Sequence, residues 1–190
     1  MSEINDKLKV KKIPIDRGNF SVISHLLEGA YFDLLGNEDL LKGFKVGLFC
    51  SIKCPGEIIY KSLNLIHKLD EDAFCLVSGF HSPLERECYN LLINSSQKMI
   101  ICPARNISKM RLSKKTKEAL LAHRLAIVSP FSEKYKGTSK KTAESRNLMV
   151  AALADRILML HASPNGMLEK LVKTMIGWDK KVYTIESEYN

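Results

Sequence analysis

Ala73-Phe74-Cys75-Leu76-Val77-Ser78-Gly79-Phe80-His81-Ser82-Pro83-Leu84-Glu85 decides the fold of this chain. Its first five residues form an unbroken apolar run, which reads as a strand buried on both faces. Ser78-Gly79 makes a turn. Ser82-Pro83 then supplies a helix N-cap with proline at the first helical position. The order is therefore strand, tight loop, helix. In an open α/β sheet, the loop at such a junction is where phosphate-bearing ligands bind.

The same unit repeats on both sides. Upstream, Lys45-Val46-Gly47-Leu48-Phe49 reads as a buried strand, and Pro55-Gly56 opens a helix running to about Leu69. The helix begun at Pro83 runs to Leu92. Downstream, strands are expected over 98–101, 125–128 and 156–160, with a short sixth over 181–184. Helices are expected over 113–122, 138–154 and 164–177 between them. Apolar strands alternating with helices predict an α/β, Rossmann-like domain. Its sheet is mainly parallel, with about six strands and helices on both faces. Before this core, Val22, Ile23, Leu26, Leu27, Ala30 and Tyr31 recur at helical spacing and predict a helix over 21–35. Residues 1–20, carrying Lys7, Lys9, Lys11 and Lys12 and broken by Pro14 and Gly18, read as a basic flexible arm. The remainder, 21–190, reads as one domain with its α/β core over 45–185.

Composition narrows the functional classes. The chain has 190 residues, 45% hydrophobic and 26% charged, as in soluble globular proteins. No apolar run approaches the roughly 18–20 residues of a membrane span. The amino terminus is polar and lacks an apolar h-region, so a cytoplasmic location is expected. The net charge of +8 favours an anionic partner: nucleotide, nucleic acid or acidic surface. Much of the excess sits in the arm and in Lys109, Arg111, Lys114, Lys115 and Lys117. The five cysteines are odd in number and include no C-x-x-C pair. The five histidines show no metal-ligand spacing. No metal or other cofactor is expected.

Candidate binding residues follow the strand ends. After the first core strand come Ser51 and Lys53 at a helix start, a site suited to an anion, although Ser51 also fits a plain cap. After the second, Gly79 allows close backbone approach. His81 faces a ligand or tops the loop, Ser82 serves ligand or helix cap, and Glu85 suits sugar hydroxyls. After the third, Arg105 carries a planar fork suited to phosphate or to a surface ion pair. Within the helix over 138–154, Arg146 beside Asn147 pairs a cation with an amide that reads a sugar or base edge. After the fifth strand, Asn165-Gly166 favours a tight turn with free N–H groups, and Glu169 sits on the first turn of the next helix.

Taken together, these loops resemble the Smf/DprA family of DNA-processing proteins. The resemblance rests on Leu35-Gly36-Asn37 with Leu40-Leu41, Val46-Gly47-Leu48-Phe49-Cys50-Ser51-Ile52-Lys53, Val77-Ser78-Gly79, and Arg146-Asn147 before Ala151-Ala152-Leu153-Ala154-Asp155. It covers roughly residues 35–185. The family's Gly-Ser-Arg is here Cys50-Ser51-Ile52, with Lys53 one position on. Ser78–Cys88 with Ile101–Arg105 is similar to a subgroup of small stand-alone Smf-like proteins. The resemblance implies a Rossmann-like core that binds nucleotide or single-stranded nucleic acid, with the phosphate near Ser51, Lys53, Gly79, Arg146 and Asn165-Gly166. Folds of this class often pair through helices, so a homodimer is a further expectation. More distantly, Arg146-Asn147, Ala154-Asp155 and Pro164-Asn165-Gly166 with Glu169 are similar to the Lonely Guy phosphoribohydrolases. That likeness implies an alternative, N-glycosidic cleavage of a nucleoside monophosphate, with Glu169 and Arg146 catalytic. The non-enzymatic reading is preferred.

Overall fold

The computed structural model describes residues 8–14, 31–69 and 74–185. Eight strands build one sheet: β1 (Lys11–Pro14), β2 (Tyr31–Gly36), β3 (Lys45–Cys50), β4 (Cys75–Ser78), β5 (Met99–Ile101), β6 (Leu125–Ser129), β7 (Arg156–His161) and β8 (Lys181–Thr184). Five α-helices connect the core strands: α1 (Gly56–Ile66), α2 (Pro83–Leu92), α3 (Lys114–Leu121), α4 (Lys140–Leu153) and α5 (Met167–Gly177). The spatial order is β1-β2-β6-β5-β4-β3-β7-β8. From β6 to β8 all pairings are parallel, whereas β1–β2 and β2–β6 are antiparallel. The expected Rossmann-like α/β class is what the chain adopts.

Each core strand feeds both faces, because successive side chains alternate. Leu48, Leu76, Leu125 and Ile127 point into a core with Leu84, Cys88, Leu92 and Leu120 from α2 and α3. Phe49, Val77, Ala126, Val128 and Ile157 point the other way, against Met149, Val150 and Leu153 of α4 and Leu171 and Met175 of α5. So α1 to α3 cover one face and α4 and α5 the other. The chain walks from β3 through β4 and β5 to β6, then crosses back to β7 on the opposite side of β3. The switch point lies between β3 and β7, and right-handed crossovers at such a point splay the flanking helices apart.

Two expectations change here. The sheet has eight strands where about six were expected, and residues 31–35 are strand, not the end of a helix. Phe32 and Leu34 are buried on one face and Leu35 on the other, a period of two. A six-residue strand carries too few repeats to separate that period from a helical one. Residues 21–30 of the expected helix lie outside the described residues. In the expected arm, Lys11–Pro14 pair with β2, with Lys11 opposite Leu34 and Pro14 opposite Tyr31. Lysines and a proline suit the sheet edge that β1 forms.

The amino edge of the sheet is pinned by Asp155. Its carboxylate accepts from the Lys45 backbone N–H at 2.7 Å and pairs with the Lys45 Nζ at 3.2 Å. The Ala154-Asp155 motif therefore holds the starts of β3 and β7 together, at the end of the strands away from the loops described next. Cys75 and Cys102 are buried as small apolar residues, and burial pushes both thiols up to about 12. Among the described residues, no helix is long and apolar enough to cross a membrane.

Candidate functional site

At the switch point the loops after β3, β4 and β7 meet the amino-terminal half of α4. They enclose a cavity of about 330 Å³, within the range of small-ligand sites. Its walls bring together Ser51, Lys53, His81, Arg146, Asn147 and Gly166 from four separate stretches of chain. Ser82 and Glu85 lie on the same wall. A larger cavity of about 670 Å³ lies elsewhere, against Tyr31, Asp33 and Phe131. It lies by β2 and the end of β6, away from the switch point between β3 and β7.

Arg146 dominates the site. It is 5% exposed, and its Nε donates to Asn147 Oδ1 at 2.7 Å. Among the described residues no carboxylate comes within ion-pairing distance of its guanidinium. Burial pulls its pKa down, while the charges of Glu85 and Cys102 pull it up. A desolvated, unpaired cation is costly, and an anion entering the cavity would relieve that cost. The guanidinium lies directly on Gly79, so that a β-carbon there would fall inside it. Only glycine leaves room for this approach.

Asn147, 8% exposed, is oriented from both ends. Its Oδ1 receives the Arg146 bond, and its Nδ2 donates weakly to Met167 Sδ at 3.4 Å. The two side chains thus present one cationic and amide surface, as their adjacency in sequence anticipated.

Glu85 works differently from expectation. It is 6% exposed, and its carboxylate accepts backbone N–H bonds from Cys50 at 2.8 Å, His81 at 2.7 Å and Ser82 at 3.3 Å. It clamps the end of β3 to the loop after β4, and with Ser82 it forms the capping box of α2. These donors take up the oxygens assigned to sugar hydroxyls. Burial raises its pKa despite them. Ser82 is the helix cap, its Oγ accepting from the Glu85 N–H. In the loop from β4 to α2, Phe80 holds a left-handed φ of 45° and its N–H donates to Ser78 Oγ. A bulky residue there is strained, and such strain gathers at functional loops.

Ser51 stitches the two strands of the switch point. Its N–H donates to the His161 carbonyl, and its Oγ accepts from the Ser163 N–H, both at 2.9 Å. Ser163 Oγ reaches back to the Lys53 carbonyl at 3.2 Å. Ser163 was not singled out from the sequence. Its signal was its place in the loop after β7, directly across from Ser51. The β3–β7 register slips at Phe49/Cys50, a bulge at the cavity edge. Lys53 and His81 stand exposed at the rim. Burial first, then Arg146 and Arg86, holds His81 below its ordinary pKa.

The loop after β7 turns as its sequence suggested. Gly166 N–H donates to the Ser163 carbonyl, and Asn165 takes a left-handed φ of 58°. Glu169 is not in the cavity. It is exposed and accepts from the Asn165 N–H at 2.7 Å, stabilising the first turn of α5. Arg105 is also elsewhere, on the wall of a separate cavity beyond β5.

No protein-family model matches the chain, and no curated protein is significantly similar to it. Among solved structures it is similar to DNA processing protein A from Helicobacter pylori, in a structure concerned with that protein's single-stranded DNA binding mode. The TM-score is 0.74 and the identity 16%, over 96% of this chain and 83% of that one. It is also similar to DNA processing protein A (DprA) from Streptococcus pneumoniae, with a TM-score of 0.75 and 18% identity. That match covers 99% of this chain and 66% of the other. The fold is thus the Rossmann-like core of the DprA proteins.

Proposed function

We propose that this chain is a DprA-type protein that binds nucleotide or single-stranded nucleic acid, with a phosphate in the switch-point cavity. The observation that carries the reading is the buried guanidinium of Arg146, without a carboxylate partner among the described residues and resting on Gly79. A phosphate accepts charge-assisted bonds from that fork, and Lys53 at the rim adds a second cation. Asn147 and His81 line the same cavity and would meet the sugar or base attached to that phosphate. The likeness in fold to two DNA processing proteins supports nucleic acid as the ligand class.

N-glycosidic cleavage finds no support in the geometry. It needs a carboxylate facing the ribose, and Glu169 faces the turn at Asn165 instead.

The test is Arg146→Ala with labelled nucleotides and oligonucleotides. Charge-assisted bonds contribute about 1.5–3 kcal/mol each, so affinity should drop by about tenfold or more. Unchanged affinity for every ligand in the panel would overturn the reading.

A further inference from the structure

A second set of cations stands on the same rim. Strands β3 to β7 are parallel, so the loops after them all emerge along one edge. The loop after β5 carries Arg105 and Lys109, and the loop after β6 carries Lys136. These three line a cavity of about 280 Å³. Among the described residues none of them has an ion-pair partner. Glu133 shares the wall, which leaves the cations in excess.

This cavity is a built one. The Asn106 N–H donates to the Tyr135 carbonyl at 2.9 Å, and its Nδ2 to the Phe131 carbonyl at 2.7 Å. Ser129 Oγ donates to the Arg105 carbonyl at 2.8 Å. Three bonds thus fix the two loops against each other and hold the cations in place without using their charged ends.

The two cavities share no lining residue. Their strands are neighbours, since Arg146 rests on the loop after β4 and β4 adjoins β5. Separate walls hold separate phosphates, and one chain of phosphates can reach both. The first cavity also constrains the polymer. Arg146 is 5% exposed on its floor, where the backbone of a rigid duplex cannot descend but that of a flexible single strand can.

Resting on the proposed function above, we propose that the cavity beside Arg105 is a second phosphate subsite. A single-stranded nucleic acid then lies along the carboxyl edge of the sheet, with one phosphate at Arg146 and a later one at Arg105, Lys109 and Lys136. Each subsite raises the effective concentration of the strand at the other.

The experiment compares thymidine monophosphate, oligothymidylates of increasing length and a duplex of matched length, by competition against a labelled oligothymidylate. Affinity should rise with length until both cavities are spanned, and the duplex should compete poorly. The double variant Arg105→Ala/Lys109→Ala should lose about tenfold for the oligonucleotide and leave the mononucleotide unchanged. Its salt dependence should be shallower by about 1.4 in log–log slope, as expected when two phosphate contacts are lost from a single strand. Oligonucleotides binding no tighter than the mononucleotide, or an unaffected double variant, would overturn the second subsite and leave the first standing. Loss confined to Arg146→Ala has the same meaning. Binding indifferent to both the double variant and Arg146→Ala, or no binding to any probe, overturns both.

Discussion

The guanidinium of Arg146 rests on the backbone of Gly79, in the space a side chain on Gly79 would occupy. Two motifs far apart in sequence are therefore one physical unit. The Ser-Gly turn after β4 is small because the arginine of α4 passes over it.

Gly79→Ala tests that unit. The added methyl meets only the far end of a flexible side chain, so the backbone need not move. Displacing the guanidinium should cost ligand affinity about as much as Arg146→Ala, roughly tenfold or more. The fall in melting temperature should be small. Calorimetric titration beside a thermal melt checks both. A Gly79→Ala protein that binds normally would separate the glycine from the site.

Much of this was legible beforehand, for identifiable reasons. Core strands such as β4 and β6 are apolar up to a closing serine and bounded by turn residues, which leaves little ambiguity. Ser82-Pro83 marked the start of α2, although the part Glu85 plays in its capping box went unread. Arg146, Gly79, Ser51 and Gly166 meet because every parallel strand delivers its loop to the same edge. Strand β2 was hidden because its pairing with β6 is a tertiary fact, and Tyr31 fitted the helical series as well as the strand. Glu85 and Glu169 look alike in sequence, each on a first helical turn. The partners across the fold distinguish them: Glu85 reaches the Cys50 N–H, while Glu169 meets only its own loop.

Glu85 should matter for stability more than for ligand contact. Glu85→Ala leaves three N–H groups without their acceptor, those of Cys50 and Ser82 buried and that of His81 part-buried, and should cost about 3 kcal/mol or more. Glu85→Gln keeps one acceptor oxygen but sets an amide NH2 against a backbone donor, so it should cost about 1–3 kcal/mol. Its pH signature has a definite sign. The folded pKa is raised above the ordinary 4.5, so the folded protein holds the proton more tightly than the unfolded chain. This contribution to stability is complete below about 4.5 and is lost as pH rises through the folded value. The gap between wild type and Glu85→Gln should therefore narrow with rising pH. Melts across that range check this, and a gap that widens would contradict the raised pKa.

Glu169→Gln separates binding from hydrolysis. The side chain is exposed, outside the cavity, and supports the first turn of α5 through the Asn165 N–H. Its loss should cost less than about 1 kcal/mol, the scale of a helix-terminus charge. Nucleotide affinity should match wild type. Release of free base by wild type, abolished in this variant, would restore the hydrolase reading.

His81 gives the site a pH dependence. Burial, Arg146 and Arg86 together hold its pKa below the ordinary 6.5, so the imidazole is neutral near pH 7 in the free protein. A phosphate beside Arg146 offsets the repelling cation and adds a negative charge, both of which favour the imidazolium. Ligand binding should therefore raise the His81 pKa. By linkage, affinity should strengthen as pH falls from the bound-state value to the free-protein value and level off below it, about tenfold in all for each unit by which the pKa rises. Histidine ring shifts followed by NMR, with and without nucleotide, measure the pKa directly. His81→Ala should flatten the pH dependence while keeping the Arg146 contact. If the ring titrates identically in both states, the phosphate does not sit where Arg146 faces His81.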